Sequence, residues 1–143
     1  MGNYKRFFRH EKYSLVDKMH QLSAIKQNYE DVQYHVKKRK FIIILHLKPT
    51  EESIVYTIKM ISNIGSSSVK IYVIDPYIGN EADGKKVPHK YPDGSLCLYY
   101  NVNQTEIRPD DLWAETLVPW TVLWLYYYEK WVQTGEWLGG GVH

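Results

Sequence analysis

The chain carries a single cysteine, Cys97, preceded by the turn-forming stretch Pro92-Asp93-Gly94-Ser95 and by a histidine, His89, eight residues upstream and next to Pro88. A thiol at the end of a loop, with an imidazole on the same loop, has the makings of a nucleophile, because a nearby positive or hydrogen-bonding group favours the reactive thiolate. The same residue in its Leu96-Cys97-Leu98 setting equally suits a buried small hydrophobe. One cysteine excludes an intramolecular disulfide and a cysteine-based metal cage. His10, His20, His35 and His46 are scattered without metal-ligand spacing and read as structural or surface residues. Asp110-Asp111 follow Pro109 and precede an apolar segment, where carboxylates cap helices or face solvent. Gly139-Gly140-Gly141 has neither the preceding strand nor the following Lys-Ser/Thr of a phosphate-binding loop, and reads as a flexible or tightly turned tail.

The elements that must hold Cys97 are legible in the hydrophobic pattern. Across residues 13–26, Leu15, Val16, Met19, Leu22 and Ile25 recur at helical steps, which predicts an amphipathic N-terminal helix. Phe41-Ile42-Ile43-Ile44-Leu45-His46-Leu47 is a β-branched run ended by Lys48-Pro49, and predicts a buried strand. In residues 54–62, Tyr56, Ile58 and Met60 alternate with Thr57, Lys59 and Ile61, giving a second strand; residues 69–74, closed by Asp75-Pro76, give a third. Short loops between them imply an antiparallel meander. Residues 76–94 are punctuated by Pro, Gly and Asn with little periodicity, the mark of a functional loop. If Leu96 and Leu98 anchor inward, alternation turns the Cys97 thiol outward. The aromatic run from Trp120 to Val132, with Pro119 before it and Thr134-Gly135 after it, predicts a helix that is apolar nearly all round and buried against the sheet and the tail.

Composition bounds the class. The chain has 143 residues, 44% of them hydrophobic, with 13 Tyr, 5 Trp and 3 Phe, so it can bury one core and is not disordered. No run of apolar residues is long enough to span a membrane, and residues 1–9 lack the apolar stretch of a secretory signal, so a cytoplasmic protein is expected. Of the 18 Lys and Arg, 10 lie in the first 40 residues, against 4 of the 16 Asp and Glu. The densest basic stretch, Lys37-Lys38-Arg39-Lys40, reads first as the solvated start of a strand and second as a partner site; no Gly-aromatic signature accompanies it, so direct nucleic-acid binding is not expected. The Trp and Tyr run, at helical spacing, reads as core in preference to a base-stacking surface.

The order of these parts resembles the ubiquitin-conjugating (UBC) fold: an α+β arrangement with an N-terminal helix and basic lead-in (1–40), an antiparallel meander (41–75), an active-site loop with Cys97 (76–111), and a C-terminal helix packed on the sheet with a Gly-rich tail (112–143), in a single domain. Pro88-His89-Lys90-Tyr91 with Asp93-Gly94-Ser95-Leu96-Cys97-Leu98-Tyr99, then Val118-Pro119-Trp120, Trp124-Leu125-Tyr126-Tyr127-Tyr128-Glu129 and Thr134-Gly135-Glu136-Trp137-Leu138-Gly139, resemble the stand-alone conjugating proteins of bacterial type II short CBASS anti-phage operons. The resemblance covers residues 40–143.

That resemblance implies an acyltransferase in which Cys97 carries a thioester to the C-terminal carboxylate of a cGAS-like nucleotidyltransferase (CD-NTase) of the same operon. The acyl group then passes to an amine on a protein or small molecule. No metal or organic cofactor is implied. The family pattern of eukaryotic relatives has His-Pro-Asn ahead of the cysteine, whereas this chain reads His89-Lys90-Tyr91-Pro92, so the oxyanion donor is unassigned among Tyr91, a backbone N–H near Cys97, and the tail. His89 orients the loop or assists proton transfer. His143, folded back on the Gly-rich tail, is the second histidine implied at the cysteine, and Tyr91, Tyr99 and Tyr100 are implied along the groove for the partner's tail. A homodimer stays open. Two other readings remain: a non-catalytic UBC-fold scaffold that binds the nucleotidyltransferase tail, and a cysteine hydrolase, for which no third polar group is evident.

Overall fold

The computed structural model describes residues 12–98 and 110–139. Ser14 starts the first helix, α1 (Leu15–Asn28), through a capping box: its hydroxyl accepts from the Asp17 N–H at 3.3 Å while the Asp17 carboxylate accepts from the Ser14 N–H at 3.1 Å. The apolar face differs from the one the periodicity predicts. Leu15 and Val16 are exposed, and the buried seam runs through Lys18, Leu22 and Ile25. Lys18 joins that seam because its ammonium donates to Ser62 Oγ and to the Ser66 carbonyl, both at 2.6 Å, and lies over the Trp113 ring. Burial holds its pKa below the ordinary lysine value.

Four antiparallel strands follow in sequence order: β1 (Gln33–Lys37), β2 (Lys40–Leu47), β3 (Tyr56–Asn63) and β4 (Lys70–Asp75). The expected meander therefore gains a strand at its front. The basic stretch Lys37-Lys38-Arg39-Lys40 is the β1–β2 turn, with Lys38 and Arg39 both at positive φ (51° and 60°), as a type I′ turn requires. Alternation sets the core face: Phe41, Ile43, Leu45 and Leu47 of β2 lie beside Tyr56, Ile58 and Met60 of β3 and Ile71 and Val73 of β4, all buried.

The segment after β4 is more ordered than a long loop. Glu81–Ala82 (β5) and Lys85–Lys86 (β6) pair around Asp83-Gly84, both at positive φ. The second helix, α2 (Leu117–Thr134), begins two residues before Pro119, which sits in the first turn, where a missing N–H costs no helical bond. It ends at Gly135 in the left-handed conformation (φ 79°), the Gly135 N–H bonding the Trp131 carbonyl. Its buried face comprises Leu117, Val118, Thr121, Trp124, Leu125 and Trp131, in one cluster with the sheet's core face. The helix is buried against the sheet and the tail as expected, but its far side is not covered: Leu123 and Val132 are exposed. Glu129 ties α2 to the sheet, accepting from Tyr56 Oη and Ser53 Oγ, both at 2.8 Å. No described helix is long and apolar enough to cross a membrane.

Candidate functional site

The chain around Cys97 folds into a small hairpin. The Tyr91 N–H donates to the Ser95 carbonyl at 2.8 Å, the Gly94 N–H to the Tyr91 carbonyl at 2.9 Å, and the Cys97 N–H to the His89 carbonyl at 2.9 Å. Gly94 takes φ 91°, a conformation that favours glycine, which explains the residue at this turn. The hairpin is fastened to the sheet by the Leu96 N–H, which donates to the Ile71 carbonyl of β4 at 2.8 Å. Leu96 and Leu98 are buried and Cys97 between them is half-buried, the alternation expected of this segment.

Asp93 locks the tip. One carboxylate oxygen accepts from the Ser95 N–H (2.9 Å) and Ser95 Oγ (2.6 Å), and the other pairs with Lys70 of β4 at 2.7 Å. The Lys70 ammonium, then Ser95, hold the Asp93 carboxyl well below the usual carboxylate range, and the same pairing raises Lys70. Lys90 reaches the other way, donating to the carbonyls of Ile78 (2.6 Å) and Gly79 (3.2 Å), and burial lowers its pKa. Asn80 completes this side by accepting the Val87 N–H and donating to the Pro92 carbonyl.

His89 is part of the hairpin, opposite Cys97, and is buried. It is 7% exposed and holds φ 54°, an unusual backbone state for a non-glycine residue. Its carbonyl accepts from both the Cys97 N–H and Trp124 Nε1 of α2, and its ring packs on Trp137 at 5.2 Å between centroids. Trp137 in turn meets Trp124 (5.5 Å) and Tyr127 (6.0 Å). The tail thus turns back onto α2. A Cβ at Gly139 would come within 2.6 Å of the Tyr127 ring, so this first glycine is a close-packing position and not a hinge.

The structure brings Cys97, His89 and Tyr91 onto one hairpin. Tyr91 is 45% exposed and lines a cavity of about 300 Å³ with Asn80, Lys86, Val87, Lys90 and Pro92. Tyr99, Tyr100 and His143 lie outside the described residues, as does His10. The backbone donors of Tyr91 and Cys97 are both engaged within the hairpin. His20, His35 and His46 are exposed, and Asp110-Asp111 do not cap α2, whose N-cap is Thr116. Among the described residues no cluster of His, Cys, Asp and Glu is placed to hold a metal. Composition alone missed three supports: Asp93 as anchor, the Asp83-Gly84 hairpin, whose Asp-Gly pair is a strong turn signal, and the engagement of Trp124 with His89.

A helix, a four-stranded antiparallel meander, a cysteine-bearing hairpin docked on the last strand and a helix across the core define an E2-like protein of the UBC fold. The sequence profile of the type II CBASS E2 protein family matches residues 21–143, and the chain belongs to that family. The match starts inside α1, earlier than residue 40, where the motif resemblance begins. No curated protein matches the chain.

Proposed function

We propose that the chain is a cysteine-dependent acyltransferase of anti-phage CBASS defence, acting on the C-terminus of a cGAS-like nucleotidyltransferase. The observation that carries this reading is the half-buried Cys97, which alternates with two buried leucines on a hairpin whose His89 carbonyl accepts from both the Cys97 N–H and Trp124 Nε1. Membership of the CBASS E2 family supports it.

The chemistry balances as two acyl exchanges. Cys97 Sγ, as thiolate, attacks the acyl carbon of an activated C-terminal carboxyl, an acyl adenylate or a thioester; a C–S bond forms and the activating group leaves. An amine nitrogen then attacks the same carbon, the C–N bond forms, the C–S bond breaks, and the amine's proton passes to base or solvent as thiolate departs. His89 acts as a positioning residue, since its burial under Trp137 and its double carbonyl contact support fixing the hairpin over shuttling protons. Tyr91 is assigned to the partner's tail, at the cavity beside the hairpin.

Co-expression with the neighbouring nucleotidyltransferase tests the proposal, using reducing and non-reducing gels with intact mass for wild type and Cys97→Ala. An adduct through the partner's C-terminus that needs Cys97 and is released by thiol reductant is the expected result. Co-purification without any adduct, with acceptor amines supplied and the partner's C-terminus intact, overturns it in favour of a tail-binding scaffold.

A further inference from the structure

The four-stranded sheet has two edges, and they are treated differently. At β4 the Cys97 hairpin takes up the edge through the Leu96 N–H to Ile71 carbonyl bond. At the other edge β1 pairs with β2 over all five of its residues and with no further strand among the described residues. Every residue of β1 is exposed, including the two that face the core side, Tyr34 and Val36, each 43% exposed. An edge strand without a further pairing is a template for another strand, and β1 has neither proline nor bulge, its one charged side chain being Lys37 at the turn end.

Charge identifies what that strand carries. The β1–β2 turn places Lys37, Lys38, Arg39 and Lys40 side by side, all exposed, and the described residues give no carboxylate to Lys37, Lys38 or Lys40. Lys38 and Arg39 occupy positive-φ positions where asparagine and glycine are favoured; Arg39 donates to the Ile64 carbonyl at 3.3 Å, whereas Lys38 keeps its basic side chain against backbone preference. Glu30 and Asp31 sit at the opposite end of β1, which sets a polarity along the edge. We propose that β1 is a docking edge for an extended segment of a protein partner, which adds as a fifth strand with its carboxylates over the Lys37–Lys40 turn. This surface lies on the edge opposite Cys97 and does not depend on acyl transfer.

The test uses the full chain and a fluorescein-labelled peptide of alternating valine and threonine ending in a run of glutamates, read by anisotropy at low and high salt. Saturable binding is expected, with slowed amide hydrogen exchange at residues 33–37. It should weaken about tenfold or more in Lys38→Asn/Arg39→Gly, a change of at least about 1.4 kcal/mol. The variant suits the turn's backbone, and an unchanged thermal midpoint checks that loss of the Arg39 guanidinium to Ile64 carbonyl bond (3.3 Å) leaves the fold intact. A version of the peptide N-methylated at alternate amides, tried on the wild-type chain, should bind as weakly. No binding at low salt, equal binding of the N-methylated peptide, or protection of 33–37 by self-association in sedimentation each overturns the proposal, the last by making a second copy the occupant.

Discussion

Trp124 Nε1 donates to the His89 carbonyl at 3.0 Å, and the Cys97 N–H donates to the same oxygen at 2.9 Å. One acceptor therefore couples the middle of α2 to the residue that bears the thiol. Trp124 is fully buried and stacks on Tyr128 with an interplanar angle of 7°. Trp124→Ala should cost about 3–5 kcal/mol by urea denaturation, the range for removing a large buried ring. The sharper test is Trp124→Phe, which keeps most of the packing and removes the indole donor, at about 1–2 kcal/mol. The alkylation rate of Cys97 in this variant should rise as the hairpin loosens; an unchanged rate would show that the shared carbonyl does not govern the cysteine.

Asp93 gives the hairpin a pH dependence whose sign follows from its depressed pKa. The folded value lies below the unfolded carboxylate value of about 3.9. Its stabilising contribution is therefore present above the unfolded value and is lost as pH falls through the folded one. The amides of Tyr91 and Leu96 should stay protected from hydrogen exchange down to about pH 4 and open below it, as far as the rest of the sheet remains folded. Both partners are exposed, so salt should weaken the Lys70 contribution. Asp93→Asn should open the hairpin already at neutral pH, and equal protection in this variant would remove Asp93 from its role as anchor.

Cys97 can be replaced at little structural cost, because its side chain is half-buried while its backbone N–H makes the bond to His89. Cys97→Ala should change unfolding free energy by less than about 1 kcal/mol and abolish adduct formation with the nucleotidyltransferase. Cys97→Ser should trap an oxygen ester that thiol reductant does not release. A stable Cys97→Ala protein that still forms the adduct would falsify the assigned nucleophile.

What the sequence made legible follows the physics of each segment. β2 could be read because it is an unbroken β-branched run, with Phe41, Ile42 and Ile43 all buried, and β3 because Tyr56, Ile58 and Met60 alternate with less buried residues. β1 could not, since an edge strand exposed along its whole length has no buried face to leave a pattern, and Gln33-Tyr34-His35-Val36-Lys37 looks like a lead-in. Lys18 escaped because a cation interrupts an apolar stripe unless its partners are known, and Ser62 and Ser66 lie 44 and 48 residues away. At the site, Cys97, the Asp93-Gly94 turn and the alternation of half-buried Cys97 with buried Leu96 and Leu98 were local features. The His89 carbonyl, the Ile71 clamp and the return of Trp137 join segments distant in sequence, and no local pattern encodes them.

Gly139 offers the most direct check on the folded-back tail. A methyl group there would stand 2.6 Å from one ring carbon of Tyr127 and 2.7 Å from the next, and 3.0 Å from Trp137 Nε1. The Trp137 indole N–H is buried with no hydrogen-bond partner among the described residues, so none of these holds the tail at that nitrogen while the rings shift. Gly139→Ala should therefore destabilise by about 1–3 kcal/mol through overpacking and displace Trp137 from His89. Because Trp137 covers the His89 ring, the same substitution should speed alkylation of Cys97. Tryptophan emission, shifted to the red as Trp137 gains water, reads the displacement independently of stability. A Gly139→Ala protein with native emission, native stability and an unchanged alkylation rate would show that residues 136–139 do not brace the hairpin.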